Sequence, residues 1–257
     1  MKIAILAGGL GSRLGADTEV RPKPMVEIGG RPILLHIMDH YRRYGHCDFH
    51  IALGYRGEFI KRYMTQFQNL DGDLSIDFTS GDVVRQERFP VDWRVNLHET
   101  GDKTLTGGRI LQLKRHLDDG TFMMTWGDGL SDVDLDELLA FHKSHGRLAT
   151  VTAVRPPARF GHLEMLPDGR IVEFSEKPQA AEGWINGAFF VLEPGIFDYI
   201  DIDPDVMWEH APMRNLAADG QLVAYRHEGF WQCMDTRRDR DLLETLWAGG
   251  EAPWSIQ

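Results

Sequence analysis

Three stretches of the chain hold residues of the types that handle phosphate chemistry. In Leu6-Ala7-Gly8-Gly9-Leu10-Gly11-Ser12-Arg13-Leu14 the glycines follow directly on a short apolar run. There, successive backbone N–H groups can converge on a phosphate, and a missing Cβ lets the ligand approach closely. Beyond Arg13 comes Lys23, framed as Arg21-Pro22-Lys23-Pro24, where the prolines stiffen the backbone and hold a cation at a fixed place. Asp128, in Trp126-Gly127-Asp128-Gly129, follows a compact apolar run at 121–126 and sits where a metal ligand belongs in an α/β sheet. Neither common phosphate loop is present: the dinucleotide fingerprint needs a glycine where Leu14 stands, and no Gly-Lys-Ser/Thr occurs. Plainer readings stand beside these, a tight turn for the glycines and a turn-capping role for Asp128.

The elements that must position these residues are legible from periodicity. Residues 2–7 read as a buried parallel strand, 32–44 as a helix, 50–53 as a second strand and 58–67 as a second helix. This alternation predicts right-handed crossovers and a doubly wound sheet, with ligands beyond the carboxyl ends of its strands. Residues 74–97 suggest strands or a hairpin, 109–117 a helix, 121–126 a strand, 135–145 a helix opened by acidic residues, and 149–154, 170–174 and 188–192 strands. With no low-complexity linker and no internal repeat, a single α/β domain over 1–257 is expected. Residues 1–130 would mainly bind nucleotide and 131–257 mainly the second substrate.

Composition narrows the classes further. The 257 residues carry 28 Lys plus Arg against 39 Asp plus Glu, a formal charge of −11, which argues against nucleic acid or an anionic membrane as partner. A hydrophobic fraction of 42% supports a buried core. Cys47 and Cys233 are far apart, so neither a disulfide framework nor a zinc site is indicated. No apolar run approaches the ~20 residues that span a bilayer, and a soluble, cytoplasmic, unprocessed protein is expected.

The glycine-rich stretch with Pro22-Lys23-Pro24 resembles the signature of the sugar-1-phosphate nucleotidylyltransferases. The similarity continues through Met25-Val26-Glu27-Ile28-Gly29-Gly30, Thr100-Gly101-Asp102, Thr106-Gly107-Gly108-Arg109, Gly127-Asp128-Gly129, Ile185-Asn186-Gly187 and Phe230-Trp231-Gln232-Cys233-Met234-Asp235-Thr236. Within that family these motifs are most similar to the branch that uses CTP and glucose 1-phosphate. The resemblance implies a Rossmann-like, doubly wound mixed sheet of the nucleotidyltransferase (glycosyltransferase-A-like) fold, Mg²⁺ shared by Asp128 and Asp235, and release of pyrophosphate. The sugar phosphate is already an anion, so the reaction needs no general base. It needs two repelling anions aligned and charge neutralised at the α-phosphorus, a task for Mg²⁺, Arg13, Lys23 and the amides of Leu6, Ala7, Gly8, Gly9, Gly11 and Ser12. The histidines, His142 and His145 among them, are not catalytic candidates.

For the base, cytosine presents two adjacent acceptors where uracil and thymine place a donor at N3. A guanidinium has only donors, so Arg109 is the expected reader of cytosine; the alternative is a helix-start residue touching phosphate or solvent. Thr104 and Gly107 are carried over by position as nucleotide contacts. For the sugar phosphate the resemblance points to Glu176 and Lys177 in Glu176-Lys177-Pro178, to Asn186 and Gly187, and to the backbone of Gly161. Where the family often has Lys-Pro-Lys-Pro, this chain has Arg21-Pro22-Lys23-Pro24; the second cation is kept. The resemblance further implies a homo-oligomer, with 81–101 the expected subunit contact, and a product that feeds deoxyhexose synthesis for surface polysaccharide. Competing expectations are UTP or dTTP as nucleotide and a non-catalytic nucleotide-sugar-binding subunit. An NAD-dependent oxidoreductase is disfavoured by Leu14.

Overall fold

The computed structural model describes the chain except for residues 10–13, 16, 17, 19, 71, 88–91, 157–161, 166–170, 176–182, 256 and 257. Seven strands form the central sheet: β1 Lys2–Ala7, β2 Asp48–Leu53, β3 Arg94–Glu99, β4 Phe122–Trp126, β5 Ala149–Val154, β6 Ile185–Leu192 and β7 Leu222–His227. Their spatial order is β7-β5-β6-β4-β1-β2-β3. β1 runs parallel to β2 and β4, β2 to β3, and β5 to β7, whereas β6 is antiparallel to both neighbours. The sheet is therefore mixed, and its first half is doubly wound.

Alternation along β1 explains the two layers. Ile3, Ile5 and Ala7 face one core with helix α1 Ile33–Arg43, α2 Gly57–Leu70, α4 Leu135–His145 and α6 Arg237–Ala248, while Ala4 and Leu6 face a second core with α3 Thr106–Leu117 and α5 Ala211–Ala218. Both faces of a parallel strand are thus apolar, as the unbroken run in the sequence requires. The α4 helix starts where Asp134 accepts from the Glu137 amide at 2.9 Å, a side-chain cap for one first-turn donor, and ends at Gly146 with a left-handed φ of 62°.

The region read as strands or a hairpin at 74–97 resolves into both. Gly72–Ile76 pairs with Val83–Glu87 as an exposed hairpin, and β3 adds an edge to the main sheet. The helix expected from 109 starts earlier, at Thr106, because Gly107 and Gly108 hid its first turn. The strand expected at 170–174 pairs as Ile171–Ser175 with His162–Met165. Among the described residues no helix is long and apolar enough to cross a membrane.

One buried polar group gives the fold a pH dependence. His40 on α1 is 4% exposed and meets the rings of Tyr41, Tyr44 and Phe189 edge-on. Burial, reinforced by Arg43, pulls its pKa down from 6.5 to about 4. The folded protein keeps this imidazole neutral below the pH at which the unfolded chain protonates it, so stability falls as pH drops from 6.5 toward 4. Between pH 7 and pH 5 the contribution is about 2 kcal/mol, from ~1.4 kcal/mol per unit. Urea unfolding at the two values should show that loss, and His40→Gln should flatten it by a comparable amount.

Candidate active site

The order of β2, β1 and β4 makes a topological switch point, because the chain leaves β1 toward one side and returns to its other side. Ligands of doubly wound sheets sit outside the strand ends at such a point. A cavity of about 940 Å³ opens there, with Leu6, Gly8, Gly9, Lys23, Trp126, Gly127, Asp128 and Asp235 in its wall. That volume suits a ligand of nucleotide size. Gly127 draws β1 and β4 together beyond their ends: its amide donates to Leu6 O at 3.0 Å, and a Cβ on it would lie 3.0 Å from Pro24 Cγ.

Lys23 closes the floor of this cavity. It begins a one-turn 3₁₀ helix, Lys23–Met25, entered through extended Pro22 and carrying Pro24 in its first turn. Its Nζ donates to Asp128 Oδ2 and to Asp235 Oδ1, both at 2.5 Å. The lysine is only 8% exposed. Burial opposes its charge, yet the Asp128 and Asp235 carboxylates outweigh burial and hold its pKa above the ordinary value. The two aspartates are brought together by backbone pairing rather than by their charges. Trp231–Cys233 pairs antiparallel with Gly129–Ser131, and the Met234 amide donates to Asp128 O at 2.8 Å. Asp235 is fixed from behind by the start of α6: Asp239 Oδ2 accepts from the amides of Asp235 (3.1 Å) and Thr236 (2.7 Å), while Thr236 Oγ1 accepts from Asp239 N, a reciprocal capping box.

Two carboxylate oxygens within 2.5 Å of a single cationic atom form a hard, oxygen-only donor pair suited to Mg²⁺. No cluster of three or more His, Cys, Asp or Glu with metal-binding geometry occurs among the described residues. An ion held by this pair would draw its remaining ligands from substrate phosphate and water, the usual Mg²⁺ arrangement.

Arg109, on the first turn of α3, ties the strand ends together. Its Nη1 donates to Leu53 O at 2.7 Å and to Thr100 Oγ1 at 2.6 Å, and its Nη2 to Gly8 O at 3.1 Å. The guanidinium thus bonds residues at the carboxyl ends of β1, β2 and β3. It lies so close to Gly8 and Gly54 that a Cβ on either would collide with it.

The chain has relatives among known proteins. A family model described as nucleotidyl transferase matches residues 2–232. The chain belongs to the nucleotidyl transferase family. A glucose-1-phosphate cytidylyltransferase of Salmonella typhi is 46% identical over 255 residues, covering 99% of this chain and 98% of that protein. A probable glucose-1-phosphate cytidylyltransferase of Bacillus subtilis is 43% identical over 256 residues, the full length of both. Among solved structures, HddC from Yersinia pseudotuberculosis superposes with a TM-score of 0.68 at 21% identity, over 96% of this chain and 99% of its own; that likeness concerns the fold.

Of the family residues expected from the sequence, the structure brings Leu6, Gly8, Gly9, Lys23, Thr104, Arg109, Asp128 and Asp235 to one cavity. Gly107 is not in its wall. Its amide donates to Val206 O at 3.0 Å, and a Cβ would meet Val206 Cγ1 at 2.8 Å, so close packing on the 204–208 segment accounts for this glycine. Ala7 likewise points into the apolar core at 1% exposure. Asn186 and Gly187 lie apart from the described cavity wall, where β6 bulges against β5. Asn186 Oδ1 accepts from the amide of Ala188, which holds a left-handed φ of 64°, and Trp231 Nε1 donates to Gly187 O at 2.8 Å. Trp231 thereby connects that bulge to the aspartate-bearing ribbon. Gly11, Ser12, Arg13, Gly161, Glu176 and Lys177 lie outside the described residues.

The sequence reading missed Tyr55, Met207 and Glu209, which also line the cavity. Thr106 Oγ1 donates to Glu209 Oε2 at 2.5 Å and accepts from the Trp208 amide at 2.9 Å, so 204–209 folds over the start of α3. Nothing local in that segment signals a site; only the glycine pair at 107–108, which needs a partner at close range, pointed toward it. His142 and His145 bond Thr150 on β5, and His142 also lies 3.2 Å from Glu193. Neither borders the cavity.

Asp239 is not itself in the cavity wall but carries the backbone of Asp235, which is. Asp239→Ala should cost about 1 kcal/mol of stability through the lost cap. Turnover should fall about tenfold while substrate affinity changes little, as steady-state kinetics and thermal melting together would show.

Proposed function

We propose that the protein transfers CMP from CTP to α-D-glucose 1-phosphate, forming CDP-glucose and pyrophosphate. Full-length relatives at 43–46% identity carry the name glucose-1-phosphate cytidylyltransferase. The observation that carries the reading is the pairing of Asp128 and Asp235 about one cation at the switch-point cavity. Mg²⁺ on this pair would supply neutralising charge at the triphosphate. The amides of Gly8 and Gly9 and the ammonium of Lys23 supply the rest, with Arg13 added from the loop. With these groups the protein acts by aligning anions and cancelling developing charge. Glu176, Lys177, Gly161, Asn186 and Gly187 are assigned to the sugar phosphate, with 1–130 serving the nucleotide and 131–257 the sugar.

Arg109 is assigned to the choice of CTP, in a more constrained way than its spacing suggested. Its four terminal N–H groups donate to Leu53 O, Thr100 Oγ1, Gly8 O and, at 3.4 Å, Asp102 O. Reading cytosine O2 and N3 with those nitrogens therefore means exchanging such bonds for the base. Uracil or thymine would set a donor against the guanidinium, which favours rejection.

The protein is further assigned to self-association in the cytoplasm. The exposed hairpin places Phe78 at its tip, 91% exposed, with Val84 at 65% nearby, an apolar patch of the kind that marks interfaces. Phe78→Glu combined with Val84→Glu should lower the sedimenting mass without changing the melting midpoint by more than a few degrees; an unchanged mass would exclude this surface.

Pyrophosphate release from glucose 1-phosphate with CTP, UTP, dTTP, ATP or GTP tests the activity. Release should occur with CTP and fall at least a hundredfold in Asp128→Ala and Asp235→Ala. Arg109→Ala should narrow the preference for CTP over UTP. Release with UTP or dTTP in place of CTP would discard the base assignment and keep the chemistry.

A further inference from the structure

The position of Lys23 raises a question that the overall reaction leaves open. Its ammonium bonds the same two carboxylates that would hold a divalent ion, at 2.5 Å from each. The side chains of Lys23, Asp128 and Asp235 are 11%, 25% and 38% exposed, so water screens the lysine and Asp128 poorly. Backbone pairing fixes the aspartates whether or not a cation is present. Without Lys23, two like charges would face each other, which is unfavourable in a partly buried site. Lys23 offsets one of those charges. A divalent ion entering the pair must therefore displace the ammonium, which then loses two charge-assisted bonds and needs another anion. The same cavity offers an anion the glycine turn at Gly8 and Gly9, where a triphosphate would lie.

We propose that Lys23 is the resident cation of the Asp128–Asp235 pair in the nucleotide-free protein and yields that pair to a divalent ion as the triphosphate arrives to receive the ammonium. Metal and nucleotide then bind with positive coupling set by Lys23, and linkage makes the coupling reciprocal. The inference rests on the metal and triphosphate reading of the cavity, but not on which base or sugar is used.

Two measurements test it with Mn²⁺ as the probe. The first follows free Mn²⁺ by electron paramagnetic resonance with nucleotide absent. Wild-type protein should bind weakly, and Lys23→Met should bind at least tenfold more tightly, a gain abolished by adding Asp235→Asn. Equal or weaker binding to Lys23→Met would overturn the proposal. The second uses the wild-type chain and so does not depend on the variant folding. Acetylation of Lys23, mapped by peptide mass spectrometry, should be slow in the free protein and rise severalfold at Mn²⁺ levels that fill the pair. It should slow again when an α,β-methylene analogue of CTP is added. Lys23 remaining equally protected with Mn²⁺ bound would sink the exchange. Failure of CDP-glucose synthesis with Mn²⁺ exchange intact would instead count against the proposed substrates, and Mn²⁺ binding indifferent to Asp128→Asn would count against the metal site itself.

Discussion

Three segments distant in sequence meet at a single ammonium, and the surrounding architecture exists to make that meeting tolerable. Asp128 ends the loop after β4, and Asp235 precedes α6. Their backbones are joined by the short ribbon of 129–131 with 231–233 and by the bond from Met234 N to Asp128 O. Peptide hydrogen bonds thus force two carboxylates together, and electrostatics alone would push them apart. The remedy is Lys23, which reaches the pair only because Pro22 and Pro24 restrict its turn and because Gly127 has no side chain to hold Pro24 away. A shift of any of these backbones would leave a carboxylate without its cation, which is far costlier in a partly buried site than at a surface.

Arg109 solves a different problem with a similar charge. Where parallel strands end the ladder gives out, and polar groups there need partners wherever water is excluded. Leu53 O already accepts from Thr100 N at 3.2 Å and Thr100 Oγ1 at 2.5 Å, and Arg109 adds a further donor to that cluster. The guanidinium offers a planar fork of donors and uses it on Leu53 O, Gly8 O and Thr100 Oγ1. The result is a rigid rim for the cavity. A lysine would gather its acceptors around one atom, whereas the guanidinium spreads its donors over a rigid plane. The two cations therefore divide the work: Lys23 neutralises acidic groups that handle charge, and Arg109 holds the frame against which a nucleotide would be placed.

Much of this was legible in the sequence, for identifiable reasons. The first strand is an unbroken apolar run, α1 carries strong helical periodicity and α4 opens on capping and acidic residues, so their positions followed from local pattern. The switch point followed from strand-helix alternation, and Lys23 and Asp128 from their frames of proline and glycine. What local pattern hid was long-range. Asp235 gives no signal of its own until its backbone is seen zipped to that of Asp128. Glu209 and Met207 join the wall only because 204–208 packs on Gly107 and Gly108. β7 and α6 went unread because β7 is only half buried and α6 keeps a single buried residue, Leu243, which leaves little apolar periodicity to detect. The base-reading role expected of Arg109 overlooked carbonyls that compete for the same donors.

The glycines behind β1 show how far such reasoning reaches once packing is known. Taken as sequence, Gly8 and Gly9 look equivalent, both serving a phosphate. The structure separates them. A Cβ on Gly8 would collide with Arg109, whereas one on Gly9 would meet no atom of the described residues within 4 Å. Gly8 is therefore required by the protein's own clasp, and its carbonyl is spent on that clasp. Gly9 also has no left-handed backbone to demand a glycine and still borders the cavity. Among the described residues nothing needs its bareness, so the space it leaves is open to what the cavity binds. Of the two, Gly9 carries the functional argument, and it places the ligand's closest approach one residue beyond the point where the strand is tied down.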